Sequence, residues 1–501
     1  MRSLSDKAAL LIAANLTKYA VGFVLPMVLV RLLTRDDYGT YQQLVLIGNI
    51  ANAVMVLGLP VSVYYFYHRR AEDPSARPTL IAQTQIMLLL AGLAAGAALY
   101  LLQPVLAVHL RNEALGSLLH TYALYVGLLL AGEHFMHVMI SQNRYVLAVG
   151  LETAETAFRV ALLIFVLVVD RSLQSLVISL ACYAGLRLLI RSYWLWHGPD
   201  SIHRASWRAS FPAAQLAYSL PLAATAFVNV AAGQLNRVIV AMYFSPIDYA
   251  IYSVGALEIP VDVIFQGSVT TVLRASLPSL AMEGRTREIV RIWRESVRKL
   301  SILIVPSFVF LMFFSANFII ALFTPRYAAS VGVFRIYVAL IPLWMFVLSI
   351  VPQVYGKTRI NMHVTAVTVV TNVVLSFVLL RYIGYLGPAV AMLISNCLSS
   401  LLFYFSTRSL LHATARQLIP LAAIGRALLS SIIAVVPGAL AEAALGHGLV
   451  SLAIEGFTFA ATYFAAGYFL RVFMPNDLAR IRAWLLRLRA MTPWRSGAGG
   501  P

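Results

Sequence analysis

Ionisable and amide side chains placed inside apolar runs are the residues of this sequence that could do chemistry. Lys18 lies in the first apolar run, with Asn15 one helical turn before it. Asn49 and Asn52 share a face of the second run, and Glu133, His134 and His137 crowd the fourth. Glu152, Glu155 and Arg159 follow helical spacing in the fifth. Asn236 and Arg237 fall late in the seventh, and Glu258 and Asp262, four apart, share a face of the eighth. A charged group in hydrocarbon is expensive unless water or a partner meets it. Lys18, Arg159 and Arg237 are the cations that could receive an anion, arginine through forked hydrogen bonds and lysine as a point charge. Each has an alternative: Glu258 or Asp262 for Lys18, Glu155 one turn back for Arg159, and the water interface for Arg237. Glu258 and Asp262 could share a proton or hold a cation between them. Their alternative is charge balance for Lys18 or Arg237.

These residues need helices to position them, and the composition supplies helices in number. Of 501 residues, 60% are hydrophobic and 12% charged, half the charged share of a soluble domain, which is about 25%. The apolar runs are continuous rather than alternating, which favours helices over a β-barrel. About fourteen of them, from 8–32 to 449–472, are long enough to cross a bilayer. The fold expected is therefore an all-α integral membrane protein. Arg2 and Lys7 precede the first run, but Lys18 interrupts it and no small-residue cleavage pattern ends it, so it is expected to be a retained helix rather than a signal peptide.

The formal net charge of +18 would suit nucleic acid, but its placement points to membrane topology and anionic lipid instead. One alternating set of loops holds Arg69, Arg70 and Arg77, then Arg144, then Arg204 and Arg208, then six cations from Arg285 to Lys299. Lys357 and Arg359, Arg408 and Arg416, and a tail with Arg480, Arg482, Arg487 and Arg489 continue that set. The opposite loops hold Arg35, Arg111, Arg171, Arg326 and Arg381. By the positive-inside rule both termini are expected in the cytoplasm. The stretches "REIVRIWRESVRKL" and "ARIRAWLLRLRAM" read as basic amphipathic helices lying in the membrane interface, as connectors or as docking or gating elements. Pro26, Pro221, Pro260, Pro306 and Pro342 interrupt spans, as hinges or as packing features. No metal site or cofactor is expected: Cys182 and Cys397 lie in apolar runs, and Glu133, His134 and His137 lack a fourth ligand nearby.

One pattern recurs. Asp37-Tyr38-Gly39-Thr40-Tyr41 reads D-Y-x-x-Y, and so does Asp248-Tyr249-Ala250-Ile251-Tyr252. The first follows run one and the second follows run seven, so the repeat is parallel, as in transporters built from two like halves. The expected divisions are an N-terminal lobe over 1–198, a second lobe over 199–412, two extra helices over 413–474 and a basic cytoplasmic tail over 475–501. Both corners are read as outer turns at the water interface, away from any substrate.

The order and spacing of several stretches resemble polysaccharide-unit flippases of the Wzx type, in the MOP superfamily that also holds the MATE drug antiporters and lipid II flippases. "VLVRLLTRDDYGTYQQLVLIGNIANAVMVLGLP" resembles their opening, and "YSLPLAATAFVNVAAGQLNRVIVAMYFSPIDYAIYSVGALEIP" their helix 7–8 region. "LPSLAMEGRTREIVRIWRESVRKL" resembles their central loop, and "IALFTPRYAASVGVFRIYVAL" the stretch after helix 9. The resemblance implies two six-helix lobes in a V-shaped arrangement around a cavity walled by helices 1, 2, 7 and 8, with two extra helices following. It implies a bacterial inner-membrane flippase that moves an undecaprenyl-pyrophosphate-linked oligosaccharide by alternating access. A polysaccharide polymerase and export machinery would be its partners, and a proton or sodium ion its coupling cation. Lys18, Arg159 and Arg237, the candidates for the anionic headgroup, would then line the cavity with Asn15, Asn49, Asn52 and Asn236 and meet the pyrophosphate or the sugar, with Glu258 and Asp262 as the coupling pair. Where that family often carries an acidic residue, this chain has Asn236-Arg237, so the family's cation site is not carried over. A drug exporter and a lipid II flippase are the alternatives within the superfamily. A membrane enzyme or an ATP-driven pump fits less well, since the outer loops are short and no GxxxxGK[ST] loop is present.

Overall fold

The computed structural model describes residues 17, 20–69, 76–206, 210–257 and 259–474. Among them the secondary structure is helical, with no strand. After α1 (Ala20–Leu32) come α2 (Arg35–Met55), α3 (Leu59–Arg69), α4 (Ala76–His109), α5 (Ala114–Ala131), α6 (Phe135–Ser141), α7 (Tyr145–Val169) and α8 (Leu173–Trp196). They are followed by α9 (Ser210–Tyr243), α10 (Pro246–Gly255), α11 (Pro260–Met282), α12 (Thr286–Phe313), α13 (Ser315–Phe323) and α14 (Ser330–Val338). The chain continues with α15 (Ile341–Trp344), α16 (Ile350–Val354), α17 (Thr358–Ile383), α18 (Leu386–Leu411), α19 (Ala415–Leu418), α20 (Leu421–Leu445) and α21 (Leu449–Phe469).

Ten helical segments among the described residues are long and apolar enough to cross a membrane. Leu101, Leu189, Phe457 and Phe469 on such helices stay exposed, as side chains facing lipid do rather than those facing water. The protein is a multi-pass membrane protein. The other apolar runs fall short of that measure for visible reasons. For example, α7 carries Glu152, Glu155 and Arg159 near its middle, and α1 and the stretch Ser330–Trp344 are apolar but shorter. Lys18, Asn15, Glu258 and the tail stretch "ARIRAWLLRLRAM" lie outside the described residues.

The chain packs as two compact units. One comprises Met1–Pro260, Phe323–Phe334 and Val369–Ser395. Its α4 and α5 pack backbone to backbone: a methyl group added at Gly92 would collide with the Gly127 carbonyl. Val63, Phe66, Leu80, Ile81, Phe135 and Met139 form a buried apolar cluster joining α3, α4 and α6. The other unit comprises Val261–Leu322, Arg335–Thr368 and Asn396–Pro501. There Phe314, Phe459, Tyr463 and Ala434 build the core between α12, α20 and α21, and the Tyr463 hydroxyl donates to the Ile302 carbonyl at 2.8 Å.

Two expectations are corrected. The sequence reads the eighth apolar run as one helix over 248–273, but the helix stops at Gly255 and restarts at Pro260. Proline has no N–H to give the carbonyl four residues back and its ring clashes there, so Ala256 loses its helical partner. The second run breaks as well, between α2 and α3, where Leu57 and Gly58 take left-handed conformations (φ 51° and 65°). Gly58 is required there twice over, since a Cβ would also press on the Ser219 carbonyl at 2.7 Å. The second correction concerns "REIVRIWRESVRKL". It is the first half of α12, and its apolar stripe of Ile289, Trp293, Val297 and Leu300 is buried in protein, not in lipid. Amphipathic spacing reports that one face is covered, not what covers it.

Candidate functional site

The two D-Y-x-x-Y corners are helix starts rather than turns. Thr34 caps α2, its hydroxyl oxygen accepting from the Asp37 N–H at 3.1 Å and donating to the Asp37 carboxylate at 2.6 Å. Ser245 caps α10 in the same way, with Asp248 at 3.2 and 2.7 Å. Each corner is therefore a capped first turn of the form [ST]-x-x-D, which satisfies orphan backbone donors and places an acid at the positive end of the helix. The tyrosines that follow point inward: Tyr38, Tyr249 and Tyr252 are essentially fully buried, and Tyr41 nearly so. The corners also meet. Gly39 lies so close to the Pro246 carbonyl that any Cβ would collide with it, and Tyr38 stands edge-on to Tyr327 with ring centroids 6.0 Å apart. Among the described residues, α2 is further tied by Asn112, whose side-chain amide donates to Thr40 (2.8 Å) and Gln43 (2.7 Å).

Beside α2 lies a cavity of about 290 Å³, walled by α1, α2, α5, α7 and α8. Its polar lining is Tyr41, Asn49, Asn52, Tyr122, Tyr125 and Arg159. Three of the expected site residues, Asn49, Asn52 and Arg159, are thus brought together. The tyrosines were not expected. Tyr41, read as part of an outer turn away from substrate, lines the cavity, and the sequence signal for it was its place in the repeat. Tyr122 and Tyr125 sit at i, i+3 with ring centroids 5.2 Å apart, a spacing too common in apolar helices to stand out.

Among the described residues, Arg159 is the only ionised side chain in that lining. Its expected alternative partner, Glu155, is engaged elsewhere. Arg191 from α8 grips Glu155 in a bidentate pair at 3.0 and 2.6 Å, and Arg187 reaches the same carboxylate at 3.5 Å. Arg187 also binds Glu133 at 3.1 Å and the Leu129 carbonyl at 3.0 Å, while Arg191 binds the Gly132 carbonyl at 2.8 Å. These two arginines and two glutamates form a largely buried, charge-balanced lock between the end of α5, the middle of α7 and the second half of α8. Arg159 is left with its Nε unpartnered and no carboxylate within ion-pair distance among the described residues. The side-chain oxygen of Asn52 is likewise unpartnered. A cation and amides without protein partners, facing a cavity with three phenols, suit a ligand that is anionic at one point and rich in hydroxyls around it.

The remaining candidates sit elsewhere. Asn236 is buried and accepts from the Ser376 hydroxyl at 3.3 Å, a helix-to-helix contact with α17. Arg237 donates to the Ala256 carbonyl at 3.2 Å, the group that Pro260 leaves orphaned. Neither lines the cavity. The backbone at Asp262 is helical, within α11. His137 packs against Tyr64 with ring centroids 4.9 Å apart, His134 is fully buried, and Glu133 belongs to the charge lock. Among the described residues no cluster of His, Cys, Asp and Glu has metal-site geometry.

A family model described as "Polysaccharide biosynthesis protein" matches residues 28–332, more than half of the chain. The chain belongs to that polysaccharide biosynthesis family. No curated protein matches it by sequence. Solved structures match it by fold. One is the lipid II flippase MurJ in an inward closed conformation, with 14% identity over 92% of this chain and 99% of that one and a TM-score of 0.69. Another is an inward-facing multidrug resistance MATE family transporter of the MOP superfamily, with 14% identity over 79% and 94% and a TM-score of 0.60. A mutant of the Vibrio cholerae MATE transporter VcmN follows, with 13% identity over 82% and 99% and a TM-score of 0.51. The fold of this polysaccharide biosynthesis protein is thus that of MurJ and the MATE transporters. The resemblance read from the sequence is borne out in its family, polysaccharide biosynthesis, and in its fold.

Proposed function

We propose that the protein flips an undecaprenyl-pyrophosphate-linked oligosaccharide across the bacterial cytoplasmic membrane, for assembly of a surface polysaccharide. The observation that carries this reading is Arg159, unpaired in a cavity it shares with Asn49, Asn52 and three tyrosines. A pyrophosphate brings about two negative charges, and exposing them to hydrocarbon is prohibitive. A half-buried guanidinium lacking a carboxylate offers forked hydrogen bonds to phosphate oxygens. The amides match sugar hydroxyls, and the phenols combine a hydrogen-bonding tip with an apolar ring face. A small-cation drug site would call for carboxylates, and the described residues of this lining include none.

In this reading two six-helix lobes, 1–198 and 199–412, alternate access, residues 413–474 add a helix pair, and both termini are cytoplasmic. Lys18 and Arg237, with Asn15 and Asn236 beside them, meet the substrate at a stage of the cycle outside the Arg159 cavity, and Glu258 with Asp262 couples the cycle to protons or sodium. A polymerase and export machinery receive the product. The test is a deletion strain complemented with Arg159→Ala, scored for surface glycan at matched membrane levels of protein. Normal glycan in that strain would remove the cavity from the mechanism. Drug sensitivity of the deletion strain with unchanged glycan would instead favour the exporter alternative. For coupling, Glu258→Gln combined with Asp262→Asn should abolish the response of transport to a pH or sodium gradient. An unchanged response refutes that role.

A further inference from the structure

The second unit carries a groove of about 840 Å³ between the first half of α12 and the start of α20. Six cations line it: Arg287, Arg291, Arg294, Arg298, Lys299 and Arg426. One carboxylate, Glu295, stands among them, and it is taken up by Arg298 (2.7 Å) and Lys299 (3.4 Å). Arg287, Arg291 and Arg294 are exposed and have no carboxylate within ion-pair distance among the described residues. Arg426 spends its hydrogen bonds on two backbone carbonyls, Ala422 at 3.0 Å and Arg471 at 3.1 Å, so its charge is not neutralised either. Between the cations the walls are apolar, with Val272, Val290, Pro420, Ala423 and Met474.

The level of the groove identifies its ligand. Arg426 lies in the second turn of α20, and α12 becomes continuously apolar after Lys299; both helices are of membrane-crossing length. The groove therefore sits where hydrocarbon gives way to headgroups, the depth at which basic pockets between helices meet anionic lipid. The chain's own tail after Met474 does not complement the groove, because it is itself basic, with Arg480, Arg482, Arg487 and Arg489. We infer that this groove is a binding site for an anionic glycerophospholipid, its phosphate among Arg287, Arg291, Arg294 and Arg426 and the start of its acyl chains along the apolar walls. The site shares no residue with the Arg159 cavity and does not depend on the transport reading.

The test uses the full chain in neutral detergent and measures binding of fluorescent phosphatidylglycerol against phosphatidylcholine. Phosphatidylglycerol should bind preferentially. The triple variant Arg287→Gln, Arg291→Gln, Arg294→Gln should lose about 5-fold per arginine, roughly 100-fold in all, from about 1 kcal/mol per cation at an anionic surface. The matching triple change to lysine should retain most of the affinity, which separates lost charge from lost folding. Arg285→Gln, whose arginine is paired to Glu283 (2.9 Å) and Glu288 (2.7 Å) and lies outside the groove, should bind as wild type, and so should Arg159→Gln. Equal binding of both lipids, or an unaffected triple glutamine variant, overturns the site. Displacement of the probe by undecaprenyl pyrophosphate together with loss in Arg159→Gln would reassign the ligand to the transported lipid, and displacement by inorganic phosphate at equal concentration to a free anion. Arginine-dependent capture of an acidic protein without lipid binding would reassign the groove to a protein partner. Each of these three results also overturns the proposal.

Discussion

Arg237 donates its guanidinium to the carbonyl of Ala256 at 3.2 Å, filling the vacancy that Pro260 creates one turn later. The end of α10 is thus held to α9 by a side chain, which makes it a defined joint rather than a frayed end.

Arg237→Gln should keep the chain in the membrane but weaken that joint, by about 1.5–3 kcal/mol if the charged hydrogen bond is lost outright. Thermal unfolding in detergent should report the loss, and glycan export should fall with it. Arg237→Lys should recover part of both. An unchanged melting curve in Arg237→Gln would show that Ala256 finds another donor.

Arg159 and Glu155 sit one turn apart on α7 and should behave oppositely on mutation. Arg159→Ala should reduce export about 10- to 100-fold, the worth of a charge-assisted phosphate contact, at normal protein level. Glu155→Ala should strip Arg191 and Arg187 of their shared carboxylate and destabilise the fold by about 3–5 kcal/mol. Size-exclusion profiles of the two variants, read beside the glycan assay, separate the roles. A stable, inactive Glu155→Ala would place that residue in the transport path instead.

The seam between α2 and α10 should be intolerant of volume. In the series Gly39→Ala and Gly39→Val the added Cβ meets the Pro246 carbonyl and valine adds further volume at the same seam, a strain of about 1–3 kcal/mol per step. Export should fall stepwise. The same series at Gly150 on α7, where nothing lies within 4 Å of the added atom, should leave export unchanged. Equal tolerance at both positions would mean that α2 and α10 separate without consequence.

Much of this was legible from residue order. Continuous apolar runs announced helices, and the repeated D-Y-x-x-Y marked two equivalent places in the chain. The [ST]-x-x-D at Thr34 and Ser245 could have identified those places as capped helix starts, since capping has a local signature. What local patterns cannot reveal is which distant side chain wins a partner. Glu155 is one turn from Arg159 but is taken by Arg191, 36 positions on. The same holds for α12, where periodicity marked the covered face while the cover itself, α20, comes more than a hundred residues later. Pro260 announced a disturbance, but that Arg237 would answer it depended on the packing of α9.

The cavity's single unpaired guanidinium has an electrical consequence. The charge lock of Arg187, Arg191, Glu133 and Glu155 sums to zero, so the membrane potential does no net work on it. Arg159 adds one positive charge to the empty cavity, and a bound pyrophosphate with about two negative charges would reverse the sign. The potential acts on each elementary charge with about 2.3 kcal/mol per 100 mV traversed. Empty and loaded states would then be driven in opposite directions by the same voltage, so the field across the membrane could order a transport cycle without any chemical fuel bound to the protein.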